Sequence, residues 1–155
     1  MIKILLEADD SLRKIHSGEV HWSKILELSA TIHFLYRGQS IEFYTKHHQL
    51  TLADLADRMK NLILAGEPSI HEGYGAGNSL IMKKHNSEIC LIKIAREQKE
   101  AIKVPLKETA ADYIEAYKSH TAFLRQFQKD EVGEDHLEEL CSYINDLICA
   151  MSKVS

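Results

Sequence analysis

The chain has 155 residues, of which 45% are hydrophobic and 27% are charged, and its formal net charge is -4 at pH 7. This length and composition predict one domain, residues 1–155, that buries its own core, and they exclude intrinsic disorder. The mildly acidic balance argues against a nucleic-acid-binding protein, which would carry a basic face.

The three cysteines give an expectation about location. Cys90, Cys141 and Cys149 form no close pairing motif, so we expect reduced thiols in a cytoplasmic protein. The amino terminus lacks the features of a secretory signal, and no apolar run is long enough for a membrane helix. We therefore expect no membrane partner.

The first 23 residues carry two different signals. Ile2, Ile4 and Leu6 alternate like a strand, while Leu12 and Ile15 suggest a short helix. The sequence leaves the structure of this segment open.

Residues 24–106 are predicted to form the sheet. Apolar residues alternate from Lys24 to Tyr36, which predicts a half-buried strand that returns over Ile41–Thr45. A second hairpin is predicted over Leu80–His85 and Glu88–Arg96. A further strand is predicted over Ala101–Leu106.

Helices are predicted in the middle and at the end of the chain. The first covers residues 51–65, with Thr51 as its N-cap and Gly66 as its left-handed end. Residues 107–152 are predicted to form two helices, 107–129 and 134–151. Since residues 130–133 make only a short link, we expect this pair to be antiparallel.

These elements predict an α+β fold. It consists of one antiparallel sheet of about five to six strands built from two hairpins. One mid-chain helix and a C-terminal antiparallel helix pair pack on that sheet.

Nine histidines raise the question of a metal site: His16, His21, His33, His47, His48, His71, His85, His120 and His136. Neither a helical HExxH pattern nor a close cysteine pair occurs, and these are the spacings that zinc sites use. We expect no metal and no other cofactor.

A glycine-rich segment, residues 67–78, contains the sequence GYGAG. Its glycines follow a helix and precede a strand, whereas phosphate loops have the opposite order. We predict a flexible connector. The alternative is a recognition loop in which His71, Glu72 and Tyr74 contact a partner.

Catalysis has little support from the residues. Cys90 lies mid-strand among aliphatic residues, where a thiol is buried and inert, and no GxSxG elbow or paired-carboxylate motif is present. We assign no catalytic residue. A pocket of converging Tyr, His and Glu side chains, in a small enzyme or ligand-binding domain, remains an alternative.

Charge is unevenly distributed along the chain. Residues 130–152 contain seven acidic residues and no lysine or arginine, whereas residues 83–129 contain ten basic and six acidic residues. A solvated helix face is the ordinary explanation. The functional interpretation is an acidic surface that attracts a basic partner, with these contact candidates: Glu131, Glu134, Asp135, Glu138 and Glu139.

The order of elements resembles the immunity proteins of bacterial polymorphic and contact-dependent toxin systems. The resemblance lies in the order hairpin, helix, hairpin and C-terminal helices and covers roughly residues Lys24 to Met151. It includes LELSATIHFLYRGQSIEFYTK, then LADLADRMKNLI and then SLIMKKHNSEICLIKI. It implies an acidic, non-catalytic protein that blocks a cognate toxin by tight binding, so the expected partner is another protein, such as a basic toxin. It assigns no site residue. An adaptor, a chaperone or a host-directed effector that acts by binding is the alternative.

Overall fold

The computed structural model of the chain describes residues 1–7, 10–127 and 131–154. Within them, one antiparallel sheet has the order β1-β2-β3, with the strands β1 (Ile2–Leu6), β2 (Ala30–Tyr36) and β3 (Gln39–Thr45). The other has the order β4-β5-β6-β7, with the strands β4 (Ser69–Glu72), β5 (Asn78–His85), β6 (Glu88–Ala95) and β7 (Gln98–Pro105). The helices are α1 (Ser11–Ser17), a 3-10 helix (Trp22–Glu27), α2 (His48–Ala65), α3 (Leu106–Arg125) and α4 (Glu131–Lys153).

The α+β class, both hairpins and the C-terminal helices are confirmed, but the single sheet is wrong. The described residues form seven strands in two sheets. One additional strand, β4, lies in the segment that was predicted to be a connector. Its four residues are too few to show a period, and glycines follow it immediately.

Both signals in the first 23 residues are real. β1 pairs with β2, from Ile2 opposite Phe34 to Leu6 opposite Ala30, and α1 buries Ile15. These residues therefore add the third strand of the first sheet and a short helix.

The strand predicted from Lys24 begins only at Ala30. The preceding residues form the 3-10 helix, which buries Ile25 and is followed by the buried Leu28. This spacing of three is the period of a 3-10 helix, so the alternation read from the sequence was coincidental there.

Helix α2 begins at His48, three residues before the predicted N-cap. The Thr45 hydroxyl accepts a hydrogen bond from the His47 N–H at 3.1 Å, which supports the earlier start. The Thr51 hydroxyl instead lies 2.7 Å from that of Thr45 inside the protein. The end of the helix is as predicted, because Gly66 has φ +64° and donates to the Leu62 carbonyl.

The C-terminal helices lie close to their predicted positions. α4 begins at Glu131, so the predicted link is helical over residues 131–133; residues 128–130, including the predicted end of α3, lie outside the described residues. The Tyr117 hydroxyl donates to the Leu140 carbonyl at 2.6 Å, and the start of α3 borders the same hollow as the end of α4. The pair is therefore antiparallel.

A hydrogen-bonded clasp joins the two sheets. The Asn78 carboxamide accepts from the Tyr44 N–H at 3.0 Å and donates to the Tyr44 carbonyl at 2.7 Å. Beside it, Gly73 N–H donates to the Asn78 carbonyl at 3.0 Å, and Lys46 N–H donates to the Gly73 carbonyl at 3.3 Å. A Cβ atom on Gly73 would lie 2.4 Å from both Asn78 Nδ2 and the Tyr44 carbonyl oxygen. The clasp therefore requires glycine at this position.

The hydrophobic core lies between the sheets and the helices. Both sheets and all four α-helices contribute buried apolar side chains to one cluster. Its largest fully buried members include Tyr113, Tyr117, Phe34 and Phe43. The buried Tyr113 hydroxyl donates to the Leu52 carbonyl at 2.5 Å, so its polar atom is satisfied.

Substituting Gly73→Ala should destabilise the protein through the clasp. We expect the free energy of unfolding to fall by about 2–4 kcal/mol, because the methyl group both clashes and displaces the Asn78 hydrogen bonds. Gly18→Ala is the control: its φ is also unfavourable for alanine, at +82°, but its Cβ would meet open space. It should cost about 1 kcal/mol. Equal losses for both variants in guanidinium unfolding would refute the role of the clasp.

Candidate functional site

The acidic residues predicted as partner contacts lie on the outer surface of α4. The opposite side of the helix buries Leu137, Leu140, Ile144 and Leu147, which fixes the orientation of α4. Four of the five candidates are exposed, namely Glu131, Asp135, Glu138 and Glu139, and Glu134 is half-buried.

The helix dipole accounts for only part of this acidic face. Glu131 and Glu134 are in the first turn, where the dipole favours a negative charge. Asp135, Glu138 and Glu139 lie beyond that turn. Among the described residues, none of the three forms an ion pair with a lysine or arginine. Within the described residues, no ion pair therefore compensates their charge.

A groove of about 520 Å³ borders this face. The 3-10 helix, the start of α2 and the first half of α4 form its walls. Its lining residues are Ser23, Leu26, Glu27, His47, Gln49, Leu50, Ala53, His136, Glu139, Leu140 and Tyr143. We refer to this groove, together with Asp135 and Glu138, which precede its lining residues His136 and Glu139 in the sequence, as the acidic groove.

The acidic groove has an apolar part next to its charged edge. Because α2 turns His48, Gln49 and Leu52 inward, Leu50 points outward, and it is 57% exposed. Ala53 and Leu140 lie beneath it and are buried. An exposed leucine beside uncompensated carboxylates suits a partner segment that carries both apolar and basic side chains.

Gln49 has a polar atom without a partner inside the acidic groove. Its side chain is 6% exposed, its Oε1 atom forms a hydrogen bond with His136 Nε2, and its Nε2 atom has no partner among the described residues. Exchanging the two amide atoms would leave the oxygen unpaired instead. A buried polar group in this condition costs about 1–3 kcal/mol. Because the Nε2 atom is itself buried, a bound molecule can supply the missing hydrogen bond only after the Gln49 side chain turns toward the groove.

The three predicted contact residues of the glycine-rich segment, His71, Glu72 and Tyr74, lie in different environments. Tyr74 is 41% exposed, and its ring packs edge-on against that of His47, whose side chain lines the acidic groove. His71 is only 3% exposed and offers no surface to a partner in this structure. Glu72 is exposed on the outer face of the second sheet.

His71 belongs to a buried network that ties β4 to α2. Its Nδ1 contacts the Asp54 carboxylate, and its Nε2 lies 3.1 Å from the Thr51 hydroxyl. Burial alone would raise the pKa of Asp54, but hydrogen bonds from His71 and Arg58 outweigh it and lower that pKa. The order Asp–His–Thr resembles a hydrolytic triad. Since the Thr51 side chain has no exposed surface, no substrate atom reaches its hydroxyl in this structure, and the network serves the fold.

A second buried polar pair consists of His48 and His120. His48 Nε2 donates to the Ile25 carbonyl at 2.8 Å, which leaves its Nδ1 to accept from His120 Nε2 at 3.0 Å. Both rings are then neutral. Burial lowers the pKa of His48 to about 4 and that of His120 to about 3.

This pair should make stability dependent on pH. Both rings take up protons near pH 6.5 in the unfolded chain but only near pH 4 and pH 3 in the folded chain. The two neutral rings therefore contribute their full stabilisation to the folded protein above pH 6.5. This stabilisation is lost as the pH falls from 6.5 toward 3. The loss by pH 5 is about 3–4 kcal/mol, which urea unfolding at pH 7.5 and pH 5 would measure.

The contribution of one ring can be isolated by substitution. His120→Gln keeps a donor for His48 Nδ1 and removes one titrating group, so the loss between the two pH values should shrink by about half. His85→Gln alters an exposed ring and should leave the loss unchanged. An equal loss in all three proteins would contradict this account.

Metal binding and membrane insertion find no structural support in the described residues. They contain no group of three or more His, Cys, Asp or Glu side chains that could hold a metal ion. Within the same ranges, every helix is too short or too polar to cross a bilayer.

Comparisons with known proteins add nothing to the geometry. No family model, no curated protein and no solved structure matches this chain. Its function therefore has to be argued from the acidic groove itself.

Proposed function

We propose that this protein is a non-catalytic protein-binding module that uses the acidic groove and the exposed side of α4 as its contact surface. The observation that carries this proposal is the exposed apolar surface of Leu50 beside the uncompensated carboxylates of α4, with the unpaired Gln49 amide buried next to them. These three features have no stabilising role in the free protein. Each of them becomes favourable when a complementary segment binds.

The groove defines the chemistry of the partner. Asp135, Glu138 and Glu139 attract lysine and arginine side chains and accelerate the encounter. The surface around Leu50 accepts an apolar side chain, and the Gln49 amide pairs with a backbone carbonyl of the partner once its side chain turns toward the groove. A volume of about 520 Å³ holds a few side chains, so the rest of α4 supplies the remainder of a stable interface.

An immunity-type role follows from this chemistry. An acidic cytoplasmic protein that binds a basic toxin would block the toxin's active site by covering it, as the resemblance in element order implies. An adaptor or chaperone would use the same surface but would leave its partner active. Inhibition of the partner therefore separates these two roles.

Charge reversal in the acidic groove should weaken partner binding. For Glu138→Lys/Glu139→Lys we expect an unchanged fold, since both side chains are exposed, and an association rate at least about tenfold lower. The partner is first captured from lysate at low and high salt, and its binding rate and activity are then measured with the purified protein. Wild-type protein should inhibit the partner.

The control variant makes the same change in charge at two positions outside the acidic groove. Glu97→Lys/Glu115→Lys reverses two exposed acids away from the groove and should bind at nearly the wild-type rate. Equal association rates for both double variants would remove the acidic groove as the contact surface. A bound partner that stays fully active would overturn the immunity-type role.

Replacing Gln49 should separate stability from binding. Gln49→Met keeps the length of the side chain but removes both the unpaired nitrogen and the hydrogen bond to His136. These two changes oppose each other, so the free energy of unfolding should change by less than about 1 kcal/mol while partner affinity falls. Chemical unfolding and titration with the captured partner measure the two effects. A less stable variant with unchanged affinity would show that this amide serves the fold instead.

A further inference from the structure

The second sheet exposes an apolar row on the side that faces away from the core. Residues paired across neighbouring strands share one face of a sheet. The register places Ile70, Ile81, Ile92 and Ala101 side by side across all four strands. Their neighbours along each strand, such as Leu80 and Leu91, point to the other face and belong to the core. We call these four residues the outer row.

The outer row is open to solvent at its two ends, and Ile81 in its middle is half-buried. Ile70 is 57% exposed, and Ala101 is also exposed. Ile92 is only 9% exposed, yet it does not belong to the core cluster, so its neighbours on the same face bury it. A continuous aliphatic row across four strands is unusual for a face left to water.

The next row on the same face carries opposite charges at its two ends. It consists of Glu72, Ser79, Ile94 and Lys99, from β4 to β7. Ile94 adds further apolar surface, being 37% exposed. Neither Glu72 nor Lys99 forms an ion pair within the described residues. We call these four residues the charged row.

We propose that a second copy of this chain packs face to face on this surface, about a two-fold axis that runs parallel to the strands between β5 and β6. This operation places β4 of each copy over β7 of the other, and β5 over β6. Each outer row then meets the other outer row, so that apolar side chains contact apolar side chains along its whole length.

The same operation makes the charged rows complementary. Glu72 of each copy lies opposite Lys99 of the other, which gives two equivalent ion pairs related by the axis. Face-to-face sheets pack about 10 Å apart, a distance that the long Lys and Glu side chains can span at the edge of the interface. The alternative axis, across the strands, would bring Lys99 opposite Lys103 and is disfavoured by repulsion.

Other occupants fit this face less well. Single-stranded nucleic acid stacks its bases on aromatic side chains, and both rows lack them.

The size of this surface limits the strength of the dimer. The four strands span roughly 15–20 Å by 25 Å, which is less than the surface that each partner buries in a standard interface. The dimer should therefore be weak and reversible.

The dimer does not depend on the proposed function. The acidic groove is formed by the 3-10 helix, α2 and α4, whereas this surface belongs to β4–β7. Loss of one interaction would leave the other measurable.

Sedimentation velocity over a range of protein concentration tests the proposal. The wild-type protein should show a reversible monomer–dimer equilibrium, with a dissociation constant between about 10 µM and 1 mM. Ile70→Lys should raise that constant at least about tenfold, because it places a charge in the outer row. Leu64→Lys is the matched control, since Leu64 is 48% exposed but lies on α2, and it should leave the constant unchanged.

A charge exchange tests the two-fold arrangement. Glu72→Lys and Lys99→Glu should each weaken the dimer, because each places like charges opposite one another. The double variant should restore the wild-type constant. A protein that stays monomeric at 1 mM overturns the proposal, as does a dimer that Ile70→Lys does not weaken. Failure of the double variant to recover overturns the two-fold arrangement.

Discussion

The side chain of Asn78 takes the place of a peptide group at the junction of the two sheets. Its oxygen and nitrogen form the two hydrogen bonds that a neighbouring strand would offer to Tyr44. The position of the end of β3 depends on this pairing. One residue later, the Thr45 hydroxyl accepts a hydrogen bond from the N–H of His47, the residue that immediately precedes α2. The direction of α2, and with it the placement of Gln49 and Leu50, therefore depends on the junction.

Polar groups inside this protein fall into two classes. The network of Asp54, His71 and Thr51 and the pair of His48 and His120 satisfy one another and join elements that are distant in sequence. The buried Gln49 Nε2 atom has no partner within the described chain, and the exposed carboxylates of Asp135, Glu138 and Glu139 form no ion pair there. Satisfied groups are explained by folding alone, whereas the unsatisfied groups beside exposed apolar surface are the basis of the proposed binding function.

The sequence predicts well what depends on local periodicity. Both hairpins, the end of α2 at Gly66 and the buried stripe of α4 follow from patterns that span a few residues. Two local predictions failed, the strand start at Lys24 and the N-cap at Thr51. The other failures depended on distant contacts. The separation into two sheets requires Asn78 to reach Tyr44, which is 34 residues away. The acidic charge of α4 could be predicted because it is contiguous, but the groove beside it could not, since three separated elements form its walls.

Separation in sequence also orders the events of folding. Each hairpin closes over a few residues, whereas the contact between Asn78 and Tyr44 can form only after the segment between them has closed a long loop. We expect the junction to form late and to be among the first contacts to open in the native state. Such an opening would release the end of β3 and the first turn of α2 while α3 and α4 stayed paired. The start of α2, which borders the proposed binding surface, would then exchange its amide protons faster than α3 and α4.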